Sequence, residues 1–230
     1  MLPTFSAIAA QPTKDELVYE RLRRAIVDGQ VVPGQELAVA NVAVQLGVSR
    51  VPVMRACQRL IGEGFLETNA RRAMVVVPLT EERVTEEFSL LNDLECMAVR
   101  EAVRHVTPAT LKRWQRLNAA LAKAVDGPRA PRIEANVAFH AALWDSLQSP
   151  YVRSLAALVW DHLEPARAAS SQTGPWDHTA SVREHQAIID AVAARDAATA
   201  EDAVRRHRQQ TVDRALSFLR ARDRSLRSTA

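Results

Sequence analysis

Apolar residues between Asp15 and Asp28 fall at Leu17, Val18, Leu22, Ala25 and Ile26, the spacing of one helical face, and Gly29 ends the run. Val32-Pro33-Gly34 reads as a turn, and a second short helix is expected over Val39–Leu46, broken by Gly47. Ser49 suits the N-cap of a third helix, which tolerates Pro52 in its first turn and turns Val53, Ala56, Cys57 and Leu60 inward. Beyond Gly64, residues 65–68 and 73–77 are strand-like, with Asn69-Ala70-Arg71-Arg72 between them. Helix, helix, turn, helix, hairpin is the order of a winged helix-turn-helix.

After residue 78 the pattern changes to helical periodicity almost throughout. Six helices are predicted, over about 81–105, 108–125, 131–147, 150–170, 178–194 and 196–222, with Thr173-Gly174-Pro175 as a loop. Pro108, Pro131 and Pro150 stand near helix starts, where proline fits. Short connections imply antiparallel neighbours. The expected fold is mainly α: a loose arm over 1–13, a winged helix-turn-helix over 14–78, and a six-helix antiparallel bundle over 79–230.

Composition agrees and excludes little else. Hydrophobic residues make up 47% and charged residues 25% of the 230, with 7 Gly and 11 Pro, so a mostly disordered chain is ruled out. Cys57 and Cys96 form no metal or disulfide motif and read as buried thiols of a reducing compartment. No apolar run reaches membrane-spanning length and the start lacks a secretory pattern, so a cytoplasmic protein is expected. The net charge of +3 permits a nucleic-acid partner without demanding one.

The third helix would display Arg50, Val51, Met54, Arg55 and Gln58 opposite its inner stripe. Arg50 and Arg55 can read guanine edges or grip phosphates, Val51 and Met54 can touch thymine methyls, and Arg71 and Arg72 at the wing tip can meet a minor groove. Solvated arginines on a protein-interaction module would look the same. The pieces "AIVDGQVVPGQEL", "LGVSRVPV" and "RLIGEGFLE" then resemble the N-terminal domain of GntR-family transcriptional regulators. The resemblance implies binding to a double-stranded DNA operator through Ser49, Arg50, Val51, Pro52, Met54, Arg55, Arg71 and Arg72. The sequence departs from the family where Met54 replaces an arginine, Arg55 a glutamate and Arg72 the wing glycine; Ala40 stands where a further charged residue is usual. A different operator preference is expected.

In the bundle, Asn136 and His140 share a helix face, His185 lies on the stripe of Val182, Ile188, Ile189 and Val192, and His207 lies between Val204 and Thr211. Four polar groups thus point into an apolar core and need partners, either other polar groups of the protein or a metal ion. "ANVAFHAALWDSLQSP" and "EHQAIIDAVAARDAATAEDAVRRH" resemble the FCD effector domain of FadR-like GntR regulators, and six helices resemble the VanR-type branch. The resemblance implies a divalent ion (Zn, Ni or Mn) held by Asn136, His140, His185 and His207, a small-molecule effector that is a carboxylate, and a homodimer. Asn136 replaces the usual Asp, and Leu91 stands where an effector-binding arginine is usual, four before Glu95. Trp114, Trp144 and Trp160 are expected in the core, and the basic run that includes Arg208 on a solvated face. Two other functions fit the same residues: a metal-dependent hydrolase, for which Asp145 and Glu184 are the nearby carboxylates, and a DNA-binding dimer with a structural metal or none.

Overall fold

The computed structural model describes residues 13–170 and 178–228. Most of the expected arm and the loop at 173–175 lie outside the described residues. The chain divides into two compact units, 1–78 and 79–230.

In the first unit α1 (Lys14–Val27) opens on a capping box: Thr13 Oγ1 accepts from Glu16 N at 3.2 Å, and Glu16 Oε2 accepts from Thr13 N at 2.6 Å. Its buried row is Val18, Tyr19, Leu22 and Ile26. Leu17, expected inside, is exposed; Tyr19 is buried instead, because Glu63 accepts its hydroxyl at 2.7 Å and Arg59 covers its ring. Helices α2 (Val39–Leu46) and α3 (Arg50–Gly62) meet at Gly47, whose φ of +65° closes the turn at little cost for glycine. Ser49 is the N-cap of α3 in extended conformation, but its hydroxyl makes no capping bond. Three antiparallel strands complete the unit, β1 (Glu36–Leu37) before α2 and the other two after α3, in the sheet order β1, β3 (Met74–Val76), β2 (Leu66–Thr68), with Leu66 facing Val76 and Leu37 facing Met74. The two-residue β1 has no periodicity to read and was not expected.

The second unit consists, among the described residues, of α4 (Glu81–His105), α5 (Pro108–Ala124), α6 (Arg129–Trp144), α7 (Pro150–Ser170), α8 (His178–Ala193) and α9 (Ala197–Ser228). Thr80 and Thr107 cap α4 and α5, each hydroxyl accepting a backbone N–H three residues on. Helix α6 starts earlier and ends earlier than its pattern suggests, with Pro131 within the first turn. Arginines tie α9 and the turn before it to the two ends of α4. Arg195 donates to Val103 O at 3.0 Å, while Arg222 donates to Leu79 O at 3.2 Å and Arg220 pairs with Glu81 at 2.8 Å. These contacts make the two helices antiparallel. Phe88, Leu91, Trp114, Phe139, Leu143 and Trp160 anchor the core. Burying each such side chain contributes about 1.5–3 kcal/mol.

Candidate DNA-reading face and histidine cluster

Helix α3 buries Val53, Ala56, Cys57 and Leu60, and that fixes what it exposes: Arg50, Val51, Met54, Arg55 and Gln58. Pro52, assigned to DNA binding on resemblance, is buried with the inner row and packs rather than reads. Arg55 donates to Asp15 Oδ2 at 2.8 Å, so one arm of its guanidinium is taken within the unit. At the wing tip, Asn69 Oδ1 accepts from Arg71 N at 2.9 Å and Ala73 N at 3.0 Å, and Arg72 adopts φ +60°. This turn holds the exposed Arg71 and Arg72 side by side. Arg72 occupies the left-handed conformation that a glycine would adopt without strain.

In the bundle, α6, α8 and α9 bring His140, His185 and His207 together. Each offers a ring nitrogen, and these atoms lie within 4.8 Å of one another. The ring centroids are 4.8–5.3 Å apart, and all three side chains are buried. Asn136, one turn before His140 on α6, is half-buried.

Carboxylates stand behind two of the rings. Glu184 Oε2 lies 2.7 Å from His207 Nδ1. A carboxylate only accepts, so Nδ1 carries the proton and Nε2 is bare. Glu95, 1% exposed on α4, lies 2.9 Å from His140 Nδ1 and accepts from Trp144 Nε1 at 3.1 Å. Among the described residues, neither nitrogen of His185 has a hydrogen-bond partner, and its ring stacks on Phe139 at 3.9 Å. Burial and the neighbouring arginine charges hold His140 and His185 well below the ordinary histidine pKa and His207 down to about 3. The cluster is therefore three neutral imidazoles, the form that ligates metals.

Arg208 corrects the sequence reading. It is 2% exposed, with Nε and NH2 each 2.5 Å from Glu95 and NH2 2.8 Å from His140 Nδ1. A second guanidinium, Arg167, lies 3.8 Å over the ring of Trp160, which is itself 4.6 Å from His140. Burial lowers the Arg167 pKa to about 10, against the opposing pull of Glu164. Glu95, Arg208, Trp144 and Glu184 are thus site residues that sequence reasoning left out or assigned elsewhere. The signal for Arg208 was its spacing: it falls four after Val204 and three before Thr211, inside the apolar row of α9. Asp145 pairs with Arg113 and Arg153 away from the cluster. His162 pairs with Glu87, and Leu91 is buried in the core.

Residues 14–76 match the gntR family of bacterial regulatory proteins and residues 86–210 match the FCD domain, more than half of the chain. The chain is 31% identical over 130 residues to the HTH-type transcriptional regulator McbR of Escherichia coli K12, covering 56% of this chain and 59% of that protein. It spans about half the length of the curated relatives it matches. Among solved structures, E. coli McbR/YncC aligns with a TM-score of 0.75 at 23% identity, over 89% of this chain and 98% of that one. A GntR regulator from Rhodococcus sp. RHA1 aligns with a TM-score of 0.71 at 24% identity, over 89% and 98%. Both share this fold. The family and these relatives are regulators of transcription rather than enzymes, which removes the hydrolase reading. A helix-turn-helix head with an exposed, arginine-bearing third helix, followed by a helical bundle of the FCD kind, places this chain in the GntR family of bacterial transcriptional regulators.

Proposed function

We propose that this protein is a cytoplasmic transcriptional regulator that binds an inverted-repeat operator as a homodimer and senses a small carboxylate at a divalent-metal site in its bundle. Arg50, Val51, Met54 and the free edge of Arg55 read the major groove, Ser49 contacts the backbone, and Arg71 and Arg72 meet the minor groove or adjacent phosphates. His140, His185 and His207 hold the ion, with Asn136 as a fourth, oxygen-donating ligand, and zinc, nickel and manganese all suit that donor set. A bound ion supplies affinity for an oxygen anion. The chain's own residues orient the imidazoles through Glu95 and Glu184 and add positive potential through Arg208 and Arg167. Those two buried guanidiniums favour a carboxylate effector although Leu91 fills the family's arginine position. Such an effector changes DNA affinity by as much as it prefers one conformation over the other.

The observation that carries the metal reading is His185: a fully buried imidazole whose nitrogens have no hydrogen-bond partner among the described residues, beside His207, whose backing carboxylate leaves a bare Nε2 for ligation. A buried polar group without a partner is costly, and one ion would satisfy all three rings. The test starts from operator-length duplexes selected from a random DNA pool by the zinc-loaded protein. Arg50→Ala is expected to weaken binding by about 1–3 kcal/mol with zinc content unchanged. His185→Ala is expected to lose the zinc. Binding of the selected duplex by Arg50→Ala at wild-type affinity would refute the assignment of α3 as the reading helix.

A further inference from the structure

Resting on the reading of α3 as the recognition helix, one pair on its outer face carries a further step. Arg55 lies on the same outer stripe as Val51 and Gln58, opposite the buried row of Val53, Ala56, Cys57 and Leu60. Its NH1 donates to Asp15 Oδ2 at 2.8 Å, across from α3 to the first turn of α1. More than that bond holds the carboxylate in place. Asp15 stands where the N-terminal end of the helix dipole favours an anion, beside the capping box of Thr13 and Glu16. One turn on along both helices, the Arg59 guanidinium lies 3.6 Å from the centre of the Tyr19 ring, and Glu63 accepts from the Tyr19 hydroxyl at 2.7 Å and from Arg59 Nε at 2.9 Å. Asp15 with Arg55 and Tyr19 with Arg59 are therefore two rungs of one ladder, and the packed rung at Tyr19 sets the register of the exposed one.

The two arginines are left with different freedom. Arg59 is committed within the unit to Tyr19 and Glu63. Arg55 gives NH1 to Asp15, and among the described residues its Nε and NH2 have no partner. Two parallel N–H groups on one edge of a guanidinium match O6 and N7 of guanine, whereas adenine sets an amino group where O6 would be. An exposed arginine without a neighbour would as readily grip a phosphate, which carries no sequence information. The Asp15 carboxylate opposes that choice, because it repels a phosphate oxygen brought up to the same guanidinium and brings the net charge of the pair to zero. We propose that Asp15 is a specificity-determining residue of the DNA-reading head: it turns the Nε–NH2 edge of Arg55 toward a guanine in each half-site and keeps that arginine off the phosphates. Asp15 acts through Arg55, as a positioning residue.

The test uses full-length protein and the duplex selected from the random pool. Fluorescence anisotropy reads the affinity of wild type, Arg55→Ala and Asp15→Ala for that duplex and for versions in which each base pair of the half-sites is replaced in turn. The expected result is one G·C pair per half-site whose replacement costs wild type at least about fivefold, the lower end of what a bidentate base contact discriminates. Arg55→Ala and Asp15→Ala both lose that discrimination and keep it at the other base pairs, which a merely structural role for Asp15 would not produce. Asp15→Ala also binds a random-sequence duplex more tightly than wild type, with a steeper dependence on salt, whereas Arg55→Ala binds it more weakly. Undiminished discrimination at that pair in Asp15→Ala, or no base pair whose reading depends on Arg55, overturns the inference. The exposed ion pair contributes little to stability, so Asp15→Ala folds, which its melting temperature checks. If Arg50→Ala and Arg55→Ala both bind every duplex as wild type does, the reading of α3 itself fails; if Arg50→Ala alone weakens binding, that reading stands and only the role of Asp15 and Arg55 falls.

Discussion

Replacing His185 with leucine should make the metal-free protein more stable, an unusual outcome for a fully buried polar residue. The ring is 0% exposed, and neither nitrogen has a hydrogen-bond partner among the described residues. An unsatisfied buried polar atom costs about 1–3 kcal/mol. Against that relief, leucine forfeits the stack on Phe139 at 3.9 Å, and an aromatic pair is worth about 0.5–1.5 kcal/mol. With midpoints of about 2 kcal/mol for the relief and about 1 kcal/mol for the lost stack, the net gain is about 1 kcal/mol, and for a chain of this size each kcal/mol moves Tm by about 2–4 °C. Differential scanning calorimetry in chelator should therefore place His185→Leu above wild type by a few degrees. Zinc at a hundred times its Kd should raise wild type by about 2.7 kcal/mol and leave the variant where it was, so the gap closes or reverses. A chelated variant that melts below wild type would refute the reasoning, because it would mean that His185 has polar partners in the folded core.

Three more outcomes follow from the geometry. Gly47→Ala meets no atom within 4 Å but forces alanine to φ +65°, so it should cost about 1 kcal/mol by denaturant titration, from backbone strain alone. Asp15→Ala breaks an exposed ion pair, so stability should change by less than about 1 kcal/mol. The freed Arg55 should meanwhile tighten binding to DNA of any sequence and steepen the salt dependence by about one counterion. Acid should destabilise the chelated protein below about pH 6.5. The unfolded chain takes up protons there that the folded cluster, with His207 titrating near 3, refuses. Stability then rises with pH across that window, by up to about 1.4 kcal/mol per unit per histidine. His185→Leu should flatten the slope by one histidine's share; an equal slope in both proteins would count against the burial of an uncharged ring.

The helices were legible because three local signals agree in this chain: an unbroken apolar row, a threonine or proline at the start, and a glycine or proline after the end. That agreement holds for α4 and α5, which begin where Thr80 and Thr107 cap them. It weakens where tertiary contacts decide. Leu17 has the right spacing to be inside, yet Tyr19 is buried because Glu63 and Arg59, forty or more residues away, receive it. The histidines were legible as inward-facing from their rows. Arg208 was not, because it stands in a run of arginines whose other members are solvated, such as Arg205 and Arg206 paired with Glu201 and Asp202. Its place in the apolar row of α9 is the one local sign of burial; its partner Glu95, 113 residues earlier on α4, leaves no trace in the pattern around it.

Metal content is the most direct measure of whether this bundle is a sensor built on an ion. Elemental analysis of untagged protein that has never met chelator, with His185→Ala as control, decides it. About one divalent ion per chain, lost in the variant, is the predicted result, and it also identifies the metal. No divalent ion in either protein would contradict the account, leaving the three histidines as core residues and the effector site to be sought elsewhere.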